Sequence, residues 1–416
     1  MRSRAVTDQP FRTEIDKLSA ATSARARAVI EDAVPAVAPV LAVSVWQAGA
    51  PWYEAYAGWV DPEERSTPAG FRSLFDLASL TKLFTATALL RLANDFKLDL
   101  DDSITAVVAE FGASGPRGVD GGQDPLTWEP LPVPPERASW TVDPAAVSYR
   151  QLLTHTSGLA PWRSIFEAAG PTPPPPGSPD TVTLEARWSA ALAAISSSPF
   201  VARPGEEVHY SDLGFMLLGM AVARRFERAL PEAMQALIRD RLGLDSLTYL
   251  PLAADRPRTQ VVPTELDERW RGRRCWGEVD DENTAGLGGV SGHAGLFATV
   301  HDVARFGVAW LRQDPRLRLE RFMRTAVQDQ APEKDAARGL GWQVQPADYL
   351  APFSDQAYGH TGFTGTSLAV DPRRDLVVAL CTNRVYHGRD PAGIDRLRLD
   401  LHQIFAAATE AGLAPS

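Results

Sequence analysis

Hydrophobic positions along the first hundred residues change their spacing several times, and each spacing predicts a different element. Apolar residues near a 3.6-residue period predict a helix over Arg12–Val34, which a proline ends. Two strand-like runs follow, Val40–Trp46 and Trp52–Val60, joined by a hairpin-length connection. A short extended run, Ser73–Leu77, precedes Leu83–Leu92, whose apolar residues leave few polar positions and predict a buried helix.

The middle of the chain has helical periodicity that prolines and glycines interrupt. Asp212 stands where it would cap one of the predicted helices. Two segments lack a period: Gly112–Pro144 is predicted to be a long loop, and Pro171–Pro179 an exposed polyproline-like segment. The helices predicted in and after this part are Val147–Leu153, Leu184–Ile195, Leu213–Phe226, Pro231–Leu242 and Val300–Leu311.

The end of the chain returns to strand-like sequence. Gly359–Val370 and Leu376–Thr382 are predicted strands, and the second is apolar without alternation, which indicates a strand covered on both faces. A last helix is predicted over Gly393–Ala408. The pattern therefore predicts an α/β sheet domain from residues 1–97 and 284–416, a mostly helical domain from residues 98–283 inserted into it, and an active site in the cleft between them.

Composition excludes several classes of protein. The 416 residues are 44% hydrophobic, enough for a large core, and the net charge of −10 with no long basic block argues against a nucleic-acid partner. The two cysteines, Cys275 and Cys381, have apolar neighbours and are predicted to be buried free thiols. Metal-binding spacings such as HxxxH or CxxC are missing from the sequence, so neither a metal nor a cofactor is predicted.

Localisation is predicted from two further features of the sequence. Apolar runs fall short of the roughly 20 residues that span a bilayer. Basic residues near the N-terminus are not followed by an apolar stretch, so the sequence as written does not resemble a secretory signal. A cytoplasmic protein is expected, or an exported one if a leader is missing. The sequence does not determine the oligomeric state.

Chemistry is suggested first by Ser79 and Lys82. Residues three apart on a helix share a face, so the hydroxyl and the amine would meet at the start of the buried helix. A nucleophile beside a base is the pairing that covalent acyl transfer needs. The apolar flank of Lys82 predicts desolvation, which lowers the pKa of an amine and favours a base. A serine at a helix start is also a common cap, so this pair alone does not establish catalysis.

Two more residues have a catalytic and a structural interpretation. Tyr210 would relay a proton to a leaving group if a neighbouring lysine lowers the pKa of its phenol, or be a half-buried tyrosine bonded to backbone. His360 lies between glycines that would let a ligand approach the backbone, or it has a structural role. Backbone N–H groups of Ser79 and Phe363 are candidate oxyanion donors, worth on the order of 3 kcal/mol each.

Three short motifs occur in a suggestive order: SLTK at Ser79–Lys82, YSD at Tyr210–Asp212 and HTG at His360–Gly362. Longer stretches accompany them, namely FDLASLTK, LLTHTSGL, PGEEVHYSDLGFMLLG, GHAGLFATVHDVARF and GHTGFTGTSLAVDP. Together they resemble the serine β-lactamase and penicillin-binding-protein superfamily, in particular its class C β-lactamase-like branch of esterases and D-amino-acid peptidases. The resemblance spans roughly residues 40–383. It implies an antiparallel sheet flanked by helices, with an inserted helical domain.

The resemblance also implies roles for the motif residues. Ser79 would be the acylated nucleophile, and Lys82 and Tyr210 would share general-base and general-acid work. Thr361 and Gly362 would support the substrate. The oxyanion hole would use the N–H groups of Ser79 and Phe363.

The chain departs from the family pattern at two positions. Asp212 stands where the family usually has Asn, and a carboxylate there would hold Lys82 charged, which leaves Tyr210 as the favoured proton carrier. His360 stands where class C β-lactamases have Lys, and a mostly neutral imidazole attracts a β-lactam carboxylate weakly. Both departures favour an esterase or amide hydrolase over an efficient β-lactamase.

The leading hypothesis is a serine hydrolase that cleaves an ester or amide bond of a small molecule or peptide without a cofactor. A D,D-peptidase or β-lactamase proper is the alternative among enzymes, and a non-catalytic penicillin-binding-like sensor is the alternative of another class. The G-x-S-x-G elbow of α/β-hydrolases is missing. Among the other histidines, His155 is predicted to be structural, and His293 is a candidate lining residue of the cleft.

Overall fold

An antiparallel sheet of seven strands forms the centre of the computed structural model, which describes residues 9–332 and 334–411. The strands in chain order are β1 Phe11–Asp16, β2 Val40–Gln47, β3 Ala50–Gly58, β4 Phe75–Asp76, β5 Arg117–Gly118, β6 Thr141–Val142, β7 Thr248–Tyr249, β8 Leu266–Asp267, β9 Arg273–Arg274, β10 Leu296–Ala298, β11 Gln343–Val344, β12 Tyr358–Thr361, β13 Ser367–Asp371 and β14 Leu376–Thr382. The large sheet has the order β1-β3-β2-β14-β13-β12-β11, so both ends of the chain build it. β4, β10 and β7 form a small second sheet.

Helices cover the sheet and fill the middle of the chain. They are α1 Ala20–Ala33, α2 Thr81–Asn94, α3 Tyr149–Leu153, α4 Ile165–Ala168, α5 Leu184–Ser197, α6 Asp212–Phe226, α7 Leu230–Met234, α8 Asp240–Leu242, α9 Glu282–Gly286, α10 Val300–Leu311 and α11 Ile394–Ala411. A π-helical turn, Gln235–Arg239, joins α7 to α8. No helix in the described part of the chain is both long and apolar enough to cross a membrane.

Both faces of the central strands are buried, as the unbroken apolar run of β14 predicts. Leu376, Val378 and Leu380 pack in one cluster with α1 and α11. Val377 and Ala379, on the opposite face, join the cluster that contains α2, α6 and α10. Successive residues of a strand point to opposite faces, so each strand contributes to two cores.

The buried helix α2 confirms the prediction made from its apolar run. All of its residues from Thr81 to Ala93 are buried, and α6 packs directly against it. A 3-10 turn, Ala78–Leu80, precedes α2 and carries Ser79 at the edge of the core. Burial on all sides gives this helix a fixed position, which is what a nucleophile placed at its start requires.

Three details of the predicted elements are wrong. The first part of the N-terminal helix is strand β1, because pairing with β3 outweighs a weak helical period. The N-cap of α6 is Ser211, whose hydroxyl accepts from the N–H of Gly214, and Asp212 is the first helical residue. The predicted strand Gly359–Val370 is two strands, β12 and β13, with a turn over residues 362–366. The domain boundaries at residues 98 and 283 remain predictions.

Candidate active site

The carboxylate of Asp76 holds the turn that carries Ser79 through backbone hydrogen bonds. Asp76 Oδ1 accepts from the N–H of Ala78 at 2.8 Å, and Asp76 Oδ2 accepts from the N–H of Asp280 at 2.7 Å. Ala78 itself has φ +46°, a left-handed conformation that costs a residue with a side chain about 1–3 kcal/mol. Backbone strain next to a candidate nucleophile is typical of functional sites, and the surrounding hydrogen bonds maintain it.

Lys82 makes two hydrogen bonds and one ion pair. Its Nζ lies 2.9 Å from Ser79 Oγ, 2.7 Å from Asp212 Oδ1 and 3.1 Å from the carbonyl oxygen of His293. The side chain is fully buried. The SLTK spacing therefore brings the hydroxyl and the amine together as predicted, while Asp212 and His293 arrive from α6 and from the loop before β10.

The prediction that Lys82 has a lowered pKa is wrong. Burial does lower the pKa of the amine, but the Asp212 carboxylate and the Tyr210 phenol raise it by more, and the pKa rises to about 12. Lys82 is therefore an ammonium ion at neutral pH. The expectation that Asp212 would hold it charged agrees with this environment.

Tyr210 faces the same ammonium. The Lys82 Nζ lies 4.9 Å from the centre of the phenol ring, and the ring of His155 packs on it at 4.5 Å. Burial raises the pKa of the phenol, and the charge of Lys82 with hydrogen bonds to Lys82 and Ser79 offsets only part of that rise. The expected lowering of the Tyr210 pKa by the lysine is therefore wrong. The phenol is thus protonated at neutral pH and is a hydrogen-bonding neighbour of the candidate nucleophile.

His155 has the structural role that the sequence predicts. It is buried, and its Nδ1 accepts from the backbone N–H of Ser211 at 2.9 Å. Burial holds the pKa of the imidazole well below its usual range, so the ring remains a neutral acceptor. It fixes the start of α6 and, through ring contact, Tyr210.

His360 is buried at the end of β12 and is neutral as well. Its Nδ1 donates to the carbonyl of Thr361 at 2.7 Å. Burial, followed by the charge of Lys82, lowers the pKa of the imidazole to about 3. The HTG motif therefore supplies no positive charge to the site.

The turn after β12 is fastened to the nucleophile turn by two threonines that the sequence analysis missed. The hydroxyl of Thr364 donates to the carbonyl of Asp76 at 2.9 Å, and that of Thr366 to the carbonyl of Leu77 at 3.0 Å. A side chain at Gly362 would lie 2.1 Å from Thr366 Oγ1, so only glycine fits there. These threonines were missed because residues 359–370 were predicted to form one uninterrupted strand.

A cavity of about 450 Å³ opens above these groups and brings most of the predicted site residues together. Lys82 lies beneath it, in contact with Ser79. His293 lines the cavity, in agreement with its candidate position. The predicted site residues in the lining are Ser79, Tyr210, Asp212, His293, His360, Thr361, Gly362 and Phe363.

Charged groups that the sequence did not single out also line the cavity. Asp281 pairs with His293 at 2.8 Å, and Arg389 pairs with Glu265 and Glu282. Arg338 differs from these: within residues 9–332 and 334–411 its guanidinium has neither a carboxylate nor a hydrogen-bond acceptor, and its Nε is buried. Tyr210 and Tyr349 interact with it electrostatically.

Asp212, Asp281 and His293 are residue types that bind metals, and their donor atoms lie within 4.8 Å of one another. Each already has a partner in the protein, however. Asp212 contacts the Lys82 ammonium and Asp281 contacts His293. A divalent ion here would have to approach an ammonium group, which opposes its binding.

Comparison with known proteins identifies the family of this chain. The family model named Beta-lactamase matches residues 26–403, and the chain belongs to that family. The protein is therefore a serine hydrolase of the β-lactamase and penicillin-binding-protein type. A relative from Escherichia coli strain K12, named provisionally as a D-alanyl-D-alanine carboxypeptidase, is 29% identical over 344 residues, 77% of this chain and 71% of the relative. One of the same name from Salmonella agona is 28% identical over 332 residues, 75% and 69% of the two chains.

Solved structures share the fold at lower identity. A penicillin-binding-protein homologue from Caulobacter crescentus has a TM-score of 0.68 at 19% identity, covering 97% of this chain and all of that one. EstCE1, a hydrolase with promiscuous acyltransferase activity, has a TM-score of 0.65 at 19% identity, covering 92% and 98%. Simvastatin synthase from Aspergillus terreus has a TM-score of 0.66 at 17% identity, covering 94% and 99%. Because the identities are low, these likenesses concern the fold.

Proposed function

We propose that the protein forms an acyl-enzyme on Ser79 and hydrolyses an ester or amide bond of a small substrate. The observation that carries the proposal is the contact of Ser79 Oγ with a fully buried Lys82 ammonium at 2.9 Å, next to Tyr210 and beneath an open cavity. A nucleophile, a fixed positive charge and a phenol at one point are the groups that acyl transfer requires.

Because Lys82 is charged, proton transfer falls to Tyr210. Ser79 Oγ attacks the acyl carbon, and its proton passes to the Tyr210 oxygen while the phenol gives its own proton to the leaving group. The acyl–leaving-group bond breaks and the ester of Ser79 forms. Water then attacks that ester, its proton passes to Tyr210, and the phenol returns a proton to Ser79. The Lys82 ammonium favours the partial negative charge that develops on both oxygens.

Negative charge on the substrate oxygen would be received by the N–H groups of Ser79 and Phe363. The two threonine hydrogen bonds that fasten residues 362–366 to the Ser79 turn support this assignment, because they hold the two N–H groups on adjoining backbone segments. Thr361 and Gly362 would bound the substrate on the same side. Donors fixed in advance lose little reorganisation energy during the reaction.

A D,D-peptidase is the second candidate, and Arg338 favours it. An unpaired guanidinium in the cavity suits the terminal carboxylate of a peptide, since Arg binds carboxylates through two parallel hydrogen bonds. The named relatives point in the same direction. A β-lactamase is disfavoured, because His360 is neutral where a lysine would attract the β-lactam carboxylate.

The test compares four reactions of the purified protein: labelling by a fluorophosphonate, and turnover of p-nitrophenyl butyrate, nitrocefin and a D-alanyl-D-alanine peptide. Labelling with ester or peptide turnover, abolished in Ser79→Ala, is expected. Peptide turnover would select the second candidate, and rapid nitrocefin turnover would select a β-lactamase. A folded protein that is neither labelled nor active would favour a non-catalytic binding protein.

A further inference from the structure

The His293 carbonyl, which accepts a hydrogen bond from Lys82, comes from the loop between α9 and β10. None of the three motifs predicts it. Two successive carbonyl groups of the loop accept hydrogen bonds from side chains of α2. The carbonyl of His293 accepts from Lys82 at 3.1 Å, and the carbonyl of Gly292 accepts from the Thr85 hydroxyl at 2.7 Å. Lys82 and Thr85 are three residues apart and share a face of the helix. The position of this loop therefore sets the position of the ammonium.

The imidazole of His293 is fixed at both of its nitrogens. Nδ1 lies 2.8 Å from Ser291 Oγ, and Nε2 lies 2.8 Å from Asp281 Oδ1 and 3.2 Å from Thr284 Oγ1. The side chain is 1% exposed. Since both nitrogens have partners within the protein, the ring has no free position for exchanging a proton with a substrate. Its geometry is that of a group that orients another group.

Asp281 is itself anchored. Its Oδ1 accepts from the backbone N–H of Thr284 at 2.6 Å and caps α9. Asn283 on the same helix accepts from the N–H of Phe166 and donates to the carbonyl of Arg163. The carboxylate that holds His293 thus caps α9, a helix that is hydrogen-bonded to residues 163–166. It connects that segment to the loop that contacts α2.

We infer that Asp281 and His293 act as a positioning pair, which holds the His293 carbonyl against Lys82 and thereby fixes the ammonium beside Ser79. The inference rests on the proposed function, in which Lys82 assists Ser79. Without the ring, the loop would lose one of its side-chain anchors and keep those from the hydroxyls of Tyr249 and Thr85. The ammonium would then lose the fixed direction of one of its two hydrogen-bond acceptors. A displacement of about 1 Å in a catalytic group lowers rates by as much as 100-fold.

The experiment measures the fluorophosphonate labelling rate of Ser79, together with kcat and KM for p-nitrophenyl butyrate, in His293→Ala, His293→Gln and Asp281→Asn. The expected loss for His293→Ala is about tenfold to 100-fold in both labelling rate and kcat, with KM within about twofold. His293→Gln retains a donor toward Asp281 and should recover part of the rate. The double variant His293→Ala with Asp281→Asn should lose no more than His293→Ala alone, because the residues act as one unit.

The control is His301→Gln. The His301 Nδ1 also lies 2.8 Å from a carboxylate oxygen, that of Glu54, but this pair is outside the cavity. It should leave the labelling rate unchanged, whatever its effect on the melting temperature. A folded His293→Ala that labels at the wild-type rate would overturn the inference, and if that variant does not fold, wild-type rates in both His293→Gln and Asp281→Asn would overturn it. Failure of the proposed function would be recognised separately, because the wild type itself would not be labelled at Ser79.

Discussion

Two cations near the same cavity have opposite surroundings. Lys82 has two hydrogen-bond acceptors and an ion pair with a carboxylate at 2.7 Å, and it is buried completely. Arg338 lies in the lining of the cavity, and within the described ranges it has no acceptor for its guanidinium. A charged group whose partners all lie within the protein is held in place by them. A charged group in a cavity that has no partner in the protein is available to a ligand.

The ion pair with Lys82 also explains why a carboxylate at position 212 is compatible with the fold. Replacing the usual neutral amide by a carboxylate makes Lys82 a poorer base, but it removes the cost of burying an unpaired ammonium. In the proposed mechanism, Lys82 therefore contributes charge and Tyr210 carries the proton. Arg338 has no such partner in the described part of the chain, and burial lowers the pKa of its guanidinium accordingly.

The largest effect is expected for Lys82→Met. It should reduce ester turnover to the level of Ser79→Ala and lower the free energy of unfolding by about 3–5 kcal/mol, because Asp212 is left as an uncompensated charge. Kinetics and urea unfolding measure the two effects. The double variant Lys82→Met with Asp212→Leu should regain stability but not activity. An unchanged free energy of unfolding in Lys82→Met would show that the ion pair of Lys82 with Asp212 does not stabilise the fold.

Tyr210→Phe separates the charge from the proton carrier. The ring contact with His155 is retained and the hydroxyl is lost, so turnover should fall by about 100-fold or more while the fold is unchanged. Steady-state kinetics and circular dichroism measure this. Wild-type turnover in the variant would indicate that Lys82, and not Tyr210, transfers the proton.

Arg338→Gln tests the other side of the comparison. If the guanidinium receives a carboxylate, kcat/KM for a D-alanyl-D-alanine peptide should fall by about tenfold to 100-fold, as expected for a hydrogen bond to a charged group. Turnover of p-nitrophenyl butyrate, which has no carboxylate, should stay within about twofold. Arg305→Gln is the control, since Arg305 bonds to the carbonyls of Leu242 and Gly243 away from the cavity. An equal loss on both substrates would argue against carboxylate recognition.

The smallest effect is a pH dependence of stability. The pKa of Lys82 is raised to about 12 in the folded protein from an ordinary value of 10.5, mainly by Asp212 acting against burial. The stability this contributes is complete below pH 10.5 and is lost as the pH rises toward 12. In Asp212→Asn this alkaline loss should shrink or disappear, because burial then lowers the folded pKa with less to oppose it, as seen by urea unfolding between pH 9 and 12. Identical alkaline profiles for the two proteins would contradict the assignment.

Much of the fold and of the site followed from the sequence, for local reasons. Ser79 and Lys82 meet because three residues of spacing brings them to one face of a helix, and the apolar run after them has to be buried. The interior strand β14 was recognisable because every position is apolar. Strand β1 was not recognisable, since only its pairing with β3 distinguishes it from the start of a helix.

The sequence by itself determined the buried helix α2, the order of the three motifs and the identity of the family. Only the tertiary structure decided the charge state of Lys82, the anchoring of the turn after His360, the pairing of Asp281 with His293, and the absence of a partner for Arg338 in the described part of the chain. The physical reason is distance along the chain. A pKa or an unsatisfied charge depends on which groups from remote segments come within a few ångströms, and a pattern of neighbouring residues does not contain that information.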